Sequence, residues 1–283
     1  MQDTVMITAA AAAAVLSSLP IITRQFQMLQ QNSYFAVRYL RWYKGAFGVK
    51  TAARLIIALL SAAAVLLCTG KAATAALSAI MLLLCFFAVY SLRLDRRSVK
   101  PLVVTARVKR MYAAAGVLFA ALFAVSVLTG GSCKKIFAAA AVFLALCPGL
   151  TTLFVLFIMK PVEKAISNHY IRDAKRILAS QKGLRIIGVT GSYGKTSTKF
   201  ILGRILSEKY NTLITPENYN TPMGIVITVR KFLRPQTEVF VCEMGAKRKG
   251  DIAADCDIAE PSMGIITSVG PQHLDTFGSI ETV

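Results

Sequence analysis

Residues 184–199 read LRIIGVTGSYGKTSTK, from Leu184 to Lys199. Leu184 to Thr190 is a short apolar run, the pattern of a parallel strand buried on both faces. Gly191-Ser192-Tyr193-Gly194-Lys195-Thr196 follows without a gap. Ser197 to Tyr210 then reads as a helix, with Phe200, Ile201, Ile205 and Leu206 as its apolar side. Strand, glycine-rich turn, Lys-Thr pair and helix, in that order, are the phosphate-loop arrangement. The stretch therefore predicts an α/β domain with a mainly parallel sheet.

The residue types suit the chemistry. Gly191 and Gly194 let the backbone turn tightly, so its N–H groups can face a phosphate. The helix N-terminus adds a positive dipole. Lys195 can reach the β- and γ-phosphates, and the Thr196 hydroxyl can ligate Mg²⁺. Thr190, Gly191, Ser192, Tyr193, Gly194, Lys195, Thr196 and Ser197 are the candidate nucleotide-binding set, with ATP and Mg²⁺ as cofactors. The spacing departs from GxxxxGK[ST]: Val189 occupies the usual first glycine position, and the motif present is TGxxGKT. A chance glycine-rich turn is the competing explanation, but a strand and a helix flank the motif as its mechanism requires.

Further along, Val239 to Cys242 is a second apolar run and ends in Glu243. Ligands of open parallel sheets gather at the strand C-termini. A carboxylate there can face the phosphate loop and hold Mg²⁺, which favours oxygen ligands. A strand-end Glu turned to solvent is the plainer alternative. His273 follows the run Gly264 to Val269 in the same manner. A lone His is more often structural than a ligand, although imidazole is a common metal ligand. Asn218 and Asn220 sit in a Pro- and Asn-rich stretch and read either as turn residues or as substrate-facing amides.

These pieces, in this order, resemble the Mur ligase family. The likeness begins at Gly188 to Lys199 and continues through Thr215-Pro216-Glu217-Asn218-Tyr219-Asn220-Thr221-Pro222-Met223-Gly224-Ile225. It takes in Val239 to Gly245, Lys249-Gly250-Asp251-Ile252-Ala253, and Ile265 to Gly278. Several motifs in the right order are more specific than one phosphate loop. Within the family, the likeness is nearest to members that add D-alanyl-D-alanine to a muramoyl tripeptide. The resemblance implies an ATP-dependent carbon–nitrogen ligase of peptidoglycan synthesis, working through an acyl phosphate. It implies Lys195, Glu243 and His273 as catalytic residues, with Thr196 and Glu243 on one Mg²⁺ and His273 near a second. The implied partners are a muramoyl peptide, UDP-linked or lipid-linked, and D-alanyl-D-alanine or another amine. The family's central domain continues with a carbamylated lysine and is followed by a further domain. On this resemblance the sequence given is expected to be a C-terminally truncated piece, inactive by itself.

Upstream, residues 1–160 differ in kind: long Ala/Leu/Val/Phe runs with few charges. A membrane-spanning helix needs about 20 apolar residues. The candidates are Val5 to Ile22, Ala52 to Thr69, Ala73 to Leu92, Met111 to Thr129, and Ile136 to Met159, the last interrupted by Pro148-Gly149. Val5 to Ile22 lacks a basic leader and a cleavage site, and reads as an anchor. Arg24, Arg38, Arg41, Lys44 and Lys50 follow the first run. Arg93, Arg96, Arg97, Lys100, Arg107, Lys109 and Arg110 follow the third. The other two connections hold only Lys71 and Lys134-Lys135. The basic connections are expected to be cytoplasmic, which puts the N-terminus outside and the ATP-using region inside. The resulting fold class is an all-α transmembrane bundle followed by an incomplete α/β phosphate-loop domain. Tyr34, Phe35, Tyr39, Trp42 and Tyr43, mixed with Arg38, Arg41 and Lys44, suit an interfacial helix touching membrane lipid, read either as an anchor or as a headgroup site for an anionic lipid substrate. The expected organisation is a membrane region over 1–160, a connecting helix over 161–182 and a ligase-like domain over 183–283. Val162, Ile166, Tyr170, Ala174 and Ile177 give the connecting helix one apolar face. That join is too short for a domain, so the uridine-nucleotide domain that usually opens the family has no room there.

Composition agrees with this division. The chain is 55% hydrophobic and 17% charged, below the ~25% charge of soluble domains. Its net charge of +19 is spread over membrane-flanking stretches, which argues against nucleic acid as a partner. Cys68, Cys85, Cys133, Cys147, Cys242 and Cys256 form no CxxC pair and suggest neither a disulfide framework nor a zinc site. Three rival readings are a membrane-bound transport ATPase, a membrane-anchored tyrosine-modifying kinase and another ligase of the same fold, folylpolyglutamate-type or muramoyl-amidating. The first would want an Asp after a hydrophobic strand, where Glu243 stands.

Overall fold

The structure, a computed structural model, describes residues 2–45, 49–67, 69–96, 100–279 and 282. Arg97 and Cys68, both singled out above, lie outside the described residues. The chain forms two compact units, Met1–Glu163 and Lys164–Val283.

The first unit is helical: α1 (Gln2–Gln31), α2 (Ala36–Gly45), α3 (Val49–Leu67), α4 (Gly70–Arg96), α5 (Ala106–Leu128), α6 (Gly131–Leu146) and the first half of α7 (Pro148–Ser180). Small side chains fill its centre. Ala10, Ala11 and Ala14 of α1 meet Ala138, Ala141 and Ala145 of α6 in one buried cluster, and short side chains let helix backbones approach closely. Large apolar side chains such as Leu16, Leu82, Val117, Leu128 and Phe157 face outward. Helices that are apolar all round need an apolar surround. Among the described residues, Asp3–Gln31 and Ala106–Leu128 are long and apolar enough to cross a membrane. Helices α6 and α7 make a third such stretch only if taken together, and they are bent by 100° at their break. The interruption foreseen at Pro148-Gly149 is thus a sharp corner rather than a kink within one span. Ala52–Leu67 and Thr74–Tyr90 are shorter apolar helices.

Helix α7 does not restart at 161; it runs unbroken to Ser180 with Pro161 inside it. Its second half belongs to the second unit, where Ala174 is buried and Tyr170, Ile177 and Leu178 pack around it. The stretch expected to join two regions is therefore part of a core.

The second unit is an α/β sandwich: β1 (Arg185–Thr190), α8 (Lys195–Leu206), β2 (Thr212–Ile214), α9 (Pro222–Phe232), β3 (Val239–Glu243), α10 (Asp251–Ala259), β4 (Met263–Ile266) and the single turn α11 (Leu274–Phe277). The strands form one sheet in the order β2-β3-β1-β4, every pair parallel. Period-two alternation splits the core into two layers. Ile187, Val189, Val239 and Val241 face one side, with Leu202 and Leu206 of α8 against them. Ile186, Phe240 and Cys242 face the other, under Ile225, Val226 and Val229 of α9 and Ile258 of α10. Helices on both faces explain why the strands are continuous apolar runs.

One expectation fails. Phe200, Ile201 and Ile205 were to be the apolar side of α8, but all three are exposed. The inward side is Lys199, Leu202, Gly203 and Leu206. Gly203 is there because β2 lies close: a Cβ on it would come 2.5 Å from Ile214 Cγ2.

Candidate active site

Strand register sets the site. Val189 of β1 pairs with Glu243 of β3, and Thr190 with Ile266 of β4. Three adjacent parallel strands thus end together, and the glycine-rich turn 191–194 leaves from the middle one. Gly191 has φ 138°, and a Cβ on it would meet Thr267 Oγ1 at 2.2 Å; only glycine fits. Gly194, at φ 79°, is the residue from which α8 starts.

The loop after β4 braces this turn. Ser192 N donates to Ser268 O at 2.7 Å, and Ser192 Oγ donates to Gly270 O and accepts from Gly270 N, both at 3.0 Å. Ser268 Oγ accepts from Tyr193 N at 3.1 Å. Thr190 O accepts from Thr267 N at 2.9 Å. Lys195 Nζ donates to the Gly191 carbonyl and to Ser192 O, the latter at 3.2 Å. Its ammonium therefore lies over the turn, where a phosphate would need it. Tyr193 and Ser197 are exposed.

Glu243 closes β3 and is 1% exposed. Thr196 Oγ1 lies 3.2 Å from each of its carboxylate oxygens. Asn220 Nδ2 donates to Oε1 at 3.1 Å. Lys199 Nζ stands 2.9 Å from Oε2 and also donates to Glu217 O at 2.7 Å. The backbone N–H of Glu243 goes to Thr215 Oγ1 at 3.0 Å. Two oxygen donors, Thr196 and Glu243, are adjacent at the sheet edge that the turn overhangs. Hard oxygen ligands of this kind suit Mg²⁺, which keeps waters and phosphates as its other ligands.

Of the residues expected at the site, Thr196, Glu243 and Asn220 come together directly, and Lys195 sits on the neighbouring turn. His273 lies in the loop beyond β4, just before α11, exposed and with φ 55°. Its backbone carbonyl caps α11 by accepting from Phe277 N at 3.0 Å. Asn218 is exposed, and its carbonyl accepts from Asn220 N at 2.8 Å. Among the described residues, no group of three His, Cys, Asp or Glu side chains gathers as a metal cage. Lys199 was not foreseen as part of the site. Its signal was positional: it lies one helical turn after Lys195, hence on the same face.

Part of this chain is similar to known proteins. The UDP-N-acetylmuramoyl-tripeptide–D-alanyl-D-alanine ligase of Mycobacterium bovis is 42% identical over 101 residues, which is 36% of this chain and 20% of that protein. The enzyme of the same description from Bacillus subtilis is 39% identical over 113 residues, 40% of this chain and 24% of its own length. Among solved structures, the MurF ligase of Thermotoga maritima in complex with ADP is 38% identical, with a TM-score of 0.39, over 41% of this chain and 27% of that one. The chain spans about a fifth to a quarter of the length of the curated relatives it matches. The α/β unit that carries the glycine-rich turn, Glu243 and His273 matches, over residues 189–283, the protein-family model described as Mur ligase middle domain.

Proposed function

We propose that the protein carrying this chain is an ATP-dependent ligase that joins D-alanyl-D-alanine to a muramoyl peptide in peptidoglycan synthesis. One observation carries the reading: Thr196 and Glu243 are 3.2 Å apart at the strand ends beside the turn that holds Lys195. In the reaction, a substrate carboxylate oxygen attacks the γ-phosphorus of ATP and ADP leaves. The amine then attacks the acyl carbon, and phosphate departs. Lys195 and the backbone amides at the N-terminus of α8 bind and orient the phosphates, which is most of what a protein contributes to phosphoryl transfer. Thr196 and Glu243 would hold Mg²⁺, which supplies charge neutralisation and Lewis acidity when bound. Asn220 and Lys199 fix the Glu243 carboxylate in place for that role. We assign His273, in the loop beyond β4, to a second metal ion near the acceptor carboxylate on the family resemblance alone.

In this proposal the helical unit sits in the cell membrane, with its basic connections and the α/β unit on the cytoplasmic side. Its outward Leu, Val and Phe side chains and its small-residue interior support that placement. The test is amine-dependent ADP release by the protein that carries this chain, supplied with UDP-linked or lipid-linked muramoyl peptide. D-Alanyl-D-alanine should stimulate release and Lys195→Ala should abolish it. Stimulation by glutamate or ammonia alone would replace this reading with another ligase chemistry.

A further inference from the structure

A cavity of about 620 Å³ opens in the helical unit, within the size range of small-ligand sites. Gln25 of α1, Trp42 and Tyr43 of α2, Arg54 of α3, and Phe87 and Tyr90 of α4 line it. Five aromatic side chains line it, and among the described residues Arg54 is the one charged residue there. The guanidinium carbon of Arg54 lies 4.0 Å from the Phe87 ring centroid, so the cation rests on a π face. Among the described residues, no carboxylate lines the cavity. Among the described residues, Arg54 Nε is buried and has no hydrogen-bond partner. Buried donors are rarely left so, and an orphaned one of this kind is free to take an acceptor from a ligand.

The corner between α6 and α7 completes the wall. A Cβ on Gly149 would come 2.5 Å from the Tyr43 ring, so the absence of a side chain there lets the ring seat against the corner. A guanidinium fork in an aromatic pocket fits a phosphate oxygen pair better than a halide or a lone carboxylate oxygen. Its apolar walls fit a ligand that carries an apolar body beside that phosphate. On the membrane placement proposed above, on which this step rests, Trp42, Tyr43 and Arg54 lie toward the cytoplasmic interface, where aromatic residues and lipid headgroups meet.

We propose that this cavity binds the phosphate of an anionic lipid, with Arg54 as the residue that selects the charge.

The test uses the full chain purified in detergent and incubated separately with dioleoylphosphatidylglycerol, dioleoylphosphatidylcholine and inorganic phosphate. Native mass spectrometry counts retained lipid, and thermal unfolding follows stability. The wild-type chain should retain phosphatidylglycerol and not phosphatidylcholine, and the anionic lipid should raise its apparent Tm. Arg54→Gln should cut retention by about tenfold or more, the loss expected for a charge-assisted hydrogen bond, and should abolish the lipid-induced Tm rise. Arg54→Lys, which keeps charge but not the fork, should fall between. An unchanged lipid-free Tm for Arg54→Gln separates lost binding from lost folding. Equal phosphatidylglycerol retention by wild type and Arg54→Gln overturns the proposal. So does equal retention of the two lipids, or an Arg54-dependent shift with inorganic phosphate and none with lipid. Each of those results leaves the membrane placement standing, because topology is measured independently.

Discussion

Lys199 Nζ stands 2.9 Å from Glu243 Oε2, and neither side chain reaches solvent. A lysine on α8 thus holds the carboxylate at the end of β3 to the helix that follows the glycine-rich turn. Breaking a buried pair from one side leaves an uncompensated charge and costs about 3–5 kcal/mol. Lys199→Met should destabilise the α/β unit by that order, seen as a lower apparent Tm. The double variant Lys199→Met/Glu243→Leu should recover much of that loss, since two apolar groups replace both charges. It should not recover Mg²⁺-dependent nucleotide binding, because Glu243 is gone. Full recovery of both properties would remove Glu243 from the site.

Lys195 calls for the opposite pattern. Its side chain is half-buried and, among the described residues, bonds to the carbonyls of Gly191 and Ser192, so truncation leaves no buried charge unpaired. Lys195→Ala should leave stability within about 1 kcal/mol of wild type. Affinity for a fluorescent ADP analogue should fall by about 10- to 100-fold, the range for a lost charged hydrogen bond to phosphate. Equal affinity in the two proteins would exclude residues 191–196 as the phosphate cradle.

These two residues show what can be read from a sequence of this kind. The strand–turn–helix around Gly191, and Glu243 at the end of an apolar run, follow from period and punctuation alone; β1 and β3 lie where that reading puts them, and α8 starts two residues earlier and ends four residues earlier. The inward face of α8 does not follow. Phe200, Ile201 and Ile205 are the more apolar choice, yet the face is set by what lies opposite: Glu243 for Lys199 and Ile214 for Gly203. Hydrophobicity ranks side chains and says nothing of a buried charge's partner on another strand. The 100° corner at Pro148 is illegible for a related reason. Proline predicts an interruption, and the surrounding packing chooses the angle.

Asp255 supplies a pH test in the same unit. It lies on α10, fully buried. Burial pushes its carboxyl up to about 7, against which the nearby Gly245 amide works only in part. The folded state therefore holds a proton that the unfolded chain releases near pH 4. A raised carboxyl favours the folded form at low pH, so this group's contribution falls as pH rises from about 4 to about 7 and is flat above. The full excursion is on the order of 2–4 kcal/mol. Asp255→Asn should stabilise the unit at pH 8 and flatten its Tm profile between pH 5 and pH 8. An identical profile in wild type and variant would mean that Asp255 keeps its ordinary carboxylate range.

Topology can be tested with cysteines that the protein already has. Cys133 is exposed in the first turn of α6, beside Lys134 and Lys135. Cys256 is partly exposed on α10 in the α/β unit. Basic connections stay on the cytoplasmic side, so the proposed orientation puts Cys133 outside and Cys256 inside. Two single-cysteine variants should therefore respond differently to a membrane-impermeant maleimide. Intact cells should label the Cys133 variant within minutes and leave the Cys256 variant unlabelled, and permeabilisation should expose Cys256. Labelling of Cys256 in intact cells would invert the topology. It would also separate residues 191–196 from cytoplasmic ATP, which the proposed ligase must reach.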